Sequence, residues 1–131
     1  PQSMYLNPAN LFVAQFLGMP QINTFEAKVS GGKIFCGDVV LREGCEVADG
    51  TYRAGVRPEA FVVGNEGEQT KASHVRMTGR DLLLHFEMGG EDLRALVHSD
   101  MQIEKGDSFG VSVRKGQILL FDNDGKTIGK Y

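Results

Sequence analysis

The sequence is poor in features that mark several classes of protein. Its two cysteines, Cys36 and Cys45, are too few for a disulfide framework or a cysteine-based zinc site, so we expect a reducing compartment. No apolar run approaches the roughly 20 residues of a membrane-spanning helix, and no signal peptide is visible. The 14 Lys and Arg residues are outnumbered by 17 Asp and Glu residues, which gives a formal charge of −3. Binding to nucleic-acid phosphates favours a basic excess, so we expect no nucleic-acid partner.

Patterns typical of catalysis and of metal binding are incomplete. No Ser-His-Asp order that geometry would favour and no nucleophile elbow is present. Residues 125–127 imitate the end of a P-loop, but Leu120 occupies the position where that motif needs its first glycine. Residues 29–33 resemble an ATPase signature loop, and residues 122–125 resemble the start of a calcium loop, yet both are more typical of hairpin turns. The sequence therefore predicts no catalytic residue, no bound cofactor and no metal ligand.

The chain has three histidines, His74, His85 and His98. His85 and His98 fall on the two predicted strands of one hairpin, which allows a cross-strand pair between them. Such a pair could hold a metal ion, but no third and fourth ligands are evident, and a structural pair is favoured. The sequence assigns none of the three a functional role.

Glycine and a period of two dominate the chain after Pro20. There are 17 glycines, nearly twice the usual frequency of about 7%. Short apolar or alternating segments between turn signals predict about eight strands, separated by turns every 8–12 residues, and residues 65–71 are predicted as an exposed loop. This pattern is typical of a small antiparallel β-barrel or sandwich. The nine segments from which these strands would form are residues 25–29, 33–36, 39–41, 52–56, 60–63, 82–88, 93–97, 109–113 and 118–121.

One helix is predicted near the N-terminus. Asn7 is a suitable N-cap, and Pro8 follows at the first helical position, where its missing N–H costs nothing. Gly18 suits the position after the helix end, and Pro20 prevents continuation. The helix would be apolar around most of its circumference, so it must pack against another part of its subunit or against a partner.

Four stretches, in order, resemble elements of one family. They are residues 4–18 (Met-Tyr-Leu-Asn-Pro-Ala-Asn-Leu-Phe-Val-Ala-Gln-Phe-Leu-Gly), 20–23 (Pro-Gln-Ile-Asn), 55–59 (Gly-Val-Arg-Pro-Glu) and 118–125, which contains Leu-Phe-Asp and ends in glycine. These stretches are similar to the ATP-binding subunits of maltose-type sugar ABC importers. The resemblance runs nearly from one end of the chain to the other.

The resemblance implies a division of the chain and a fold. Residues 1–20 would be the end of a nucleotide-binding domain with its connecting helix, and residues 21–131 a transport-associated OB (TOBE) domain. Such a domain is a mainly β, OB-like antiparallel barrel, in agreement with the predicted strands. The family hydrolyses ATP, with Mg, through a P-loop, a signature loop, a Walker B strand and a switch histidine, which would all precede Pro1. The chain itself is then expected to bind no cofactor and to be no enzyme.

The resemblance also implies a regulatory and dimerisation role, with no catalysis. The implied partners are a second copy of the ATPase subunit, the transmembrane permease subunits, and a small-molecule or regulatory-protein ligand. The implied location is cytoplasmic, peripheral to the inner or plasma membrane. Arg57, Pro58 and Glu59 are the candidate regulatory or ligand contact. Alternatively they form a rigid turn whose arginine pairs with a nearby carboxylate.

The sequence also allows a second function, the binding of a small ligand. Because OB-like barrels often bind small ligands at one end, the chain could be a free-standing barrel that holds a sugar or an oxyanion. The loops at residues 57–60 and 64–71 would then supply the contacts.

Overall fold

Strands make up most of the part of the chain that the structure describes. The computed structural model describes Asn10, Leu11 and residues 21–131. Within these residues it has eleven strands and one short 3₁₀ turn. The predicted N-terminal helix lies outside them, apart from Asn10 and Leu11. No helix in the described part is long and apolar enough to cross a membrane.

The strands are short, and most are joined by tight turns. The first four are β1 (Asn23–Ser30), β2 (Lys33–Cys36), β3 (Val39–Arg42) and β4 (Gly50–Val56), and the 3₁₀ turn (Pro58–Ala60) follows. The next four are β5 (Phe61–Gly64), β6 (Glu68–Thr78), β7 (Asp81–Met88) and β8 (Glu91–His98). The last three are β9 (Ser108–Val113), β10 (Leu119–Phe121) and β11 (Thr127–Lys130).

These strands form two antiparallel sheets. The six-stranded sheet has the order β11-β10-β4-β1-β2-β3, and the five-stranded sheet has the order β5-β9-β6-β7-β8. The mainly β, antiparallel fold is thus confirmed, whereas a closed barrel is wrong for the described residues. Three of the four edge strands, β3, β5 and β11, have only four residues each, and only β8 is longer, with eight, so few backbone groups are available for a closing ladder. Hydrogen bonds from side chains such as Asn23 and Arg42 to the backbone of the other sheet join the two sheets instead.

One core lies between the two sheets. The six-stranded sheet contributes Phe25, Ile34 and Leu120, and the five-stranded sheet contributes Phe86 and Phe109, all nearly or fully buried. In β7 the alternating residues 82, 84, 86 and 88 all face this core, as the period of two predicted.

The hairpin turn after β7 passes close to the other sheet. Gly89 and Gly90 have φ values of 60° and 81°, in the left-handed region that favours glycine. A Cβ on Gly89 would collide with the carbonyl of Cys36 in β2. The Gly-Gly turn was therefore predicted correctly, and a close approach of two backbones adds to the requirement for glycine.

The sequence failed to predict most of β6 and all of β11. Residues 65–71 were expected to form a loop, but β6 begins at Glu68 and pairs with both β7 and β9. Of its eleven residues only Ala72 is buried. A strand whose side chains are nearly all exposed is held by backbone hydrogen bonds, so it leaves no pattern of hydrophobicity.

A small second cluster lies on the outer face of the six-stranded sheet. Ile22, Leu119 and Phe121 are buried together, and Leu11 packs against them. Leu120, between two of these residues, faces the main core. The N–H of Leu11 donates to the Gly125 carbonyl at 2.8 Å, so the described N-terminal residues are attached to this face.

Candidate functional site

The histidines are arranged differently from the prediction. His85 lies opposite Arg94 in the β7–β8 register and opposite His74 in the β6–β7 register. The rings of His74 and His85 have centroids 5.4 Å apart, whereas His98 lies beside Asp100, with Nδ1 3.0 Å from a carboxylate oxygen. The cross-strand pair of His85 and His98 that the hairpin allowed is not formed, because the two residues are four positions out of register. The described residues contain no group of three or more side chains able to hold a metal.

The stretches that imitate nucleotide and calcium loops form hairpins. One carboxylate oxygen of Asp122 accepts the N–H groups of Asp124 and Lys126, each at 2.9 Å. Gly125 has φ 80°, and β11 begins at Thr127, so a strand follows where a P-loop needs a helix. Residues 29–33 likewise form the turn between β1 and β2. The turn interpretation is confirmed at both places.

The cysteines give no sign of nucleophilic chemistry. Cys36 is fully buried, its thiol donates to the Met88 carbonyl at 3.4 Å, and burial, followed by the charge of Glu91, raises its pKa to about 11. It is therefore protonated at neutral pH and is a core residue. Cys45 is half-buried, and neither cysteine is part of a disulfide bond within the described residues.

The candidate contact at residues 57–59 lies between β4 and β5. Arg57 is extended, with φ −68° and ψ 145°, as expected for a residue before proline. Pro58 is buried at the start of the 3₁₀ turn, which the N–H of Ala60 closes by donating to the Arg57 carbonyl at 2.9 Å. Glu59 is exposed. The proline therefore fixes the backbone that presents the two charged residues on either side of it.

Arg57 and Glu59 line a pocket that is completed by residues distant in sequence. Its volume is about 260 Å³. Pro58 does not line it. The other lining residues are Ala60, Arg114, Gly116, Gln117, Leu119 and Lys130.

Backbone hydrogen bonds hold the walls of this pocket together. The N–H of Arg114 donates to the Ala60 carbonyl at 2.9 Å, and the N–H of Gln117 donates to the Arg114 carbonyl at 3.1 Å. Gly116, with φ 81°, makes the turn between them. Ile118 and Tyr131 exchange two hydrogen bonds, at 3.0 and 2.8 Å, which fixes Lys130 beside the same loop. The three segments that line the pocket are thus mutually attached.

The pocket is cationic in an acidic chain. Three of its side chains, Arg57, Arg114 and Lys130, are basic, and one, Glu59, is acidic. Arg57 is only 6% exposed, and burial lowers its pKa, yet a guanidinium remains charged at neutral pH. Such an arrangement suits the binding of an anionic group.

The sequence indicated only part of this pocket. Arg57 and Glu59 were found because a short motif carries them. Arg114 and Lys130 carry no motif, and only the antiparallel topology brings them to residues 57–60. The second loop considered for ligand binding, residues 64–71, is not among the lining residues, and its Gly67 and Glu68 line a separate cavity beside β3.

Comparison with known proteins gives relatives of one kind. The chain is 34% identical, over an alignment 151 positions long, to the diacetylchitobiose uptake system ATP-binding protein MsiK of Streptomyces coelicolor. The alignment covers 94% of this chain and 40% of that protein. The chain is 31% identical over 128 residues to the sn-glycerol-3-phosphate import ATP-binding protein UgpC of a Jannaschia species, with 95% and 36% covered. The UgpC protein of Chromobacterium violaceum is 30% identical over 131 residues, with 93% and 35% covered. No family model matches the chain.

The chain spans little more than a third of the length of these relatives, although they match nearly all of it. The resemblance inferred from the stretches at residues 4–18, 20–23, 55–59 and 118–125 is confirmed by these relatives. The chain is therefore a relative of the ATP-binding subunits of ABC importers.

Proposed function

We propose that the chain is the C-terminal regulatory and dimerisation domain of the ATP-binding subunit of an ABC importer for sugars. The observation that carries this proposal is the similarity of nearly the whole chain to part of import ATP-binding proteins, two of which are named for diacetylchitobiose and sn-glycerol-3-phosphate. The two-sheet β fold supports an OB-like TOBE domain over residues 21–131. Residues 1–20 would then end the nucleotide-binding domain.

The roles of this domain follow from the chemistry it carries. The sequence contains no complete P-loop, so ATP and Mg would be bound by the rest of the subunit. Its partners would be a second copy of the subunit, the permease subunits and a regulatory ligand. The subunit would lie in the cytoplasm, peripheral to the membrane. Arg57 and Glu59 would act at the pocket described above, and Pro58 would fix their backbone.

The first test is the reading frame upstream of the Pro1 codon. The proposal requires an in-frame P-loop, signature loop and Walker B strand within about 250 residues, the upper size of one domain. A start codon immediately before Pro1 would overturn it. A free-standing domain that binds a small ligand would then be the better proposal, and the cationic pocket favours that second function.

The second test addresses regulation in the complete importer. The variants Glu59→Gln and Lys130→Gln change exposed charges of the pocket, and Lys115→Gln is a control with a similar exposed charge outside it. We expect the pocket variants to change how strongly the regulatory ligand alters the rate of ATP hydrolysis, while the affinity for ATP stays the same. If all three variants behave like the unchanged subunit, the pocket has no regulatory role.

A further inference from the structure

A β-bulge in β6 brings two histidines to the same face of the five-stranded sheet. Ala72 lies opposite Phe86 and faces the core, and in a regular strand the residue two positions later would face the core as well. The register between β6 and β7 shifts between Ala72 and His74, so β6 contains one extra residue there. His74 therefore faces outward, opposite His85, because such a bulge changes the face to which the following side chain points.

Hydrogen bonds fix the two strands around this pair. The hydroxyl of Ser73, which lies in the bulge, donates to the His85 carbonyl at 3.0 Å, and the hydroxyl of Thr70 donates to the Glu87 carbonyl at 2.7 Å. Bulges are frequent beside functional sites, where they redirect a side chain. Because the backbone already holds both imidazole groups, a ligand shared by them would have to order little of the chain.

The separation of the two rings suits a shared metal ion. A zinc ion lies about 2.0–2.1 Å from a ligating imidazole nitrogen, and therefore roughly 3 Å from the centre of that ring. Two rings that bind one ion at a tetrahedral angle would consequently have their centres about 5 Å apart. The ring centroids of His74 and His85 are 5.4 Å apart, and the ring planes are inclined by 68°, so the rings are not stacked face to face.

The charges around the pair do not exclude a cation. Besides the other histidine, the charged residues that act on the His85 ring are Arg76, Arg94 and Asp92. The Arg94 guanidinium donates to the Gln21 carbonyl at 2.8 Å, so it is directed toward the segment before β1. Arg76 opposes the binding of a cation, and the exposed carboxylate of Asp92 favours it. The nearby surface therefore presents charges of both signs.

The chemistry of the two ligands selects the class of ion. Imidazole nitrogen suits zinc, copper and nickel, whereas magnesium and calcium prefer oxygen ligands. Within the described part of the chain, no third His, Cys, Asp or Glu side chain forms a metal-binding group with these two. Water would therefore complete the tetrahedral shell, as it does at zinc sites with an open position. The outer face of the sheet gives the ion a direct path from solvent.

We propose that His74 and His85 bind a divalent transition-metal ion of the zinc type on the outer face of the five-stranded sheet, with water as the remaining ligands. The ion would link β6 to β7 beside the bulge. This inference goes beyond the proposed function and does not depend on it, since both protein ligands belong to this chain. Because only the folded chain places the two histidines opposite each other, the ion would also stabilise the fold by mass action.

The test is a titration of the full 131-residue chain, prepared without a histidine tag, with zinc chloride at about pH 7.5. Magnesium chloride at equal concentration controls for divalent charge alone. We expect saturable shifts of the imidazole NMR signals of His74 and His85, with a rise in the Tm of unfolding, and no saturable shift at His98. The proposal is overturned if magnesium acts like zinc, if the shifts do not saturate, or if all three histidines respond alike.

Matched histidine variants distinguish a shared ion from a contact with one ring. His74→Gln and His85→Gln should each weaken zinc binding at least about tenfold and abolish the rise in Tm, because even indirect partners of a metal change its affinity about 10–100-fold. His98→Gln, which changes an exposed histidine beside Asp100, should alter the affinity by less than about twofold. Arg76→Gln should tighten binding about threefold by removing a like charge. Zinc binding that either variant of the pair leaves unchanged would make the pair an aromatic contact only and refute the site.

Discussion

The side-chain amide of Asn23 pairs with the backbone of Arg94 as a neighbouring strand residue would. Asn23 Nδ2 donates to the Arg94 carbonyl at 2.8 Å, and Asn23 Oδ1 accepts the Arg94 N–H at 2.8 Å. The same Nδ2 donates to the Val56 carbonyl at 3.0 Å. Asn23 belongs to the six-stranded sheet and Arg94 to the five-stranded sheet, so one buried amide joins the two layers.

Replacing Asn23 by Ala should destabilise the fold strongly. The change leaves an N–H and two carbonyl groups without their partner, and each unsatisfied buried group costs about 1–3 kcal/mol. Because water can satisfy part of this loss, we expect a decrease of about 2–4 kcal/mol in the free energy of unfolding, measured by urea denaturation. Gln21→Ala is the control, because Gln21 is exposed and the hydrogen bond from Arg94 goes to its backbone carbonyl, which the substitution keeps. Equal effects of the two variants would contradict this role for Asn23.

Gly55 leaves little space for a side chain. A Cβ at this position would lie 2.9 Å from Ile22 Cδ1 and 3.2 Å from Phe121 Cε2, both in the outer apolar cluster. We expect Gly55→Ala to lower the free energy of unfolding by about 1–3 kcal/mol through overpacking. Gly64→Ala is the matched control in β5, since its Cβ would meet nothing within 4 Å.

A second substitution tests whether this clash is the cause. Ile22→Val removes the Cδ1 atom that a Cβ on Gly55 would meet. The double variant of Ile22 and Gly55 should therefore be more stable than the sum of the two single changes predicts, when unfolding is measured in urea. Strictly additive effects would mean that Gly55 is required for another reason.

Arg42 makes a further connection between the sheets. Its Nη2 donates to the carbonyls of Val113 and Arg114 at 2.9 and 3.0 Å, and lies 3.4 Å from that of Tyr131. Arg42→Met keeps an apolar stem but removes the donor, so we expect a loss of about 1–3 kcal/mol in thermal or urea unfolding. Lys33→Met, which removes only an exposed ion pair with Glu43, should cost less than about 1 kcal/mol. A loss for Arg42→Met no larger than this would contradict a joining role.

These contacts explain which parts of the molecule the sequence could predict. The asparagine of the 20–23 stretch and the glycine of the 55–59 stretch belong to the family resemblance, and each has a packing reason in the structure. Asp122 in the 118–125 stretch accepts two backbone N–H groups in its turn. Short motifs were informative because each of these residues has a role that depends on its residue type. Asp122 forms hydrogen bonds within its own turn, the side-chain amide of Asn23 both donates and accepts, and Gly55 has no side chain.

The remaining features depend on contacts between residues far apart in the chain. Arg114 and Lys130 join Arg57 only through the order of strands in the sheets, which no local pattern encodes. The β6 strand was missed because its exposed side chains carry no alternation. The His74–His85 pair was missed because the register between β6 and β7 decides it, including a shift near Ala72.

His85 occupies a half-buried, positively charged position on the outer face of the five-stranded sheet. Burial lowers its pKa below the ordinary value of 6.5, and the charges of His74, Arg94 and Arg76 lower it further. Asp92 acts in the opposite direction. The folded state therefore holds His85 neutral at a pH where the unfolded chain already binds a proton.

The fold should lose stability as the pH falls through 6.5, because there the unfolded state takes up the proton more readily than the folded state. Above pH 6.5 the contribution of His85 to the free energy of unfolding is fully present. The free energy of unfolding measured in urea should therefore be higher at about pH 7.5 than at about pH 5. His85→Gln removes the titrating group and should reduce that difference, whereas His98→Gln changes an exposed histidine and should leave most of it. A pH dependence that His98→Gln removes and His85→Gln does not would contradict this assignment, since it would place the proton-linked group at the end of β8 beside Asp100 instead of in β7.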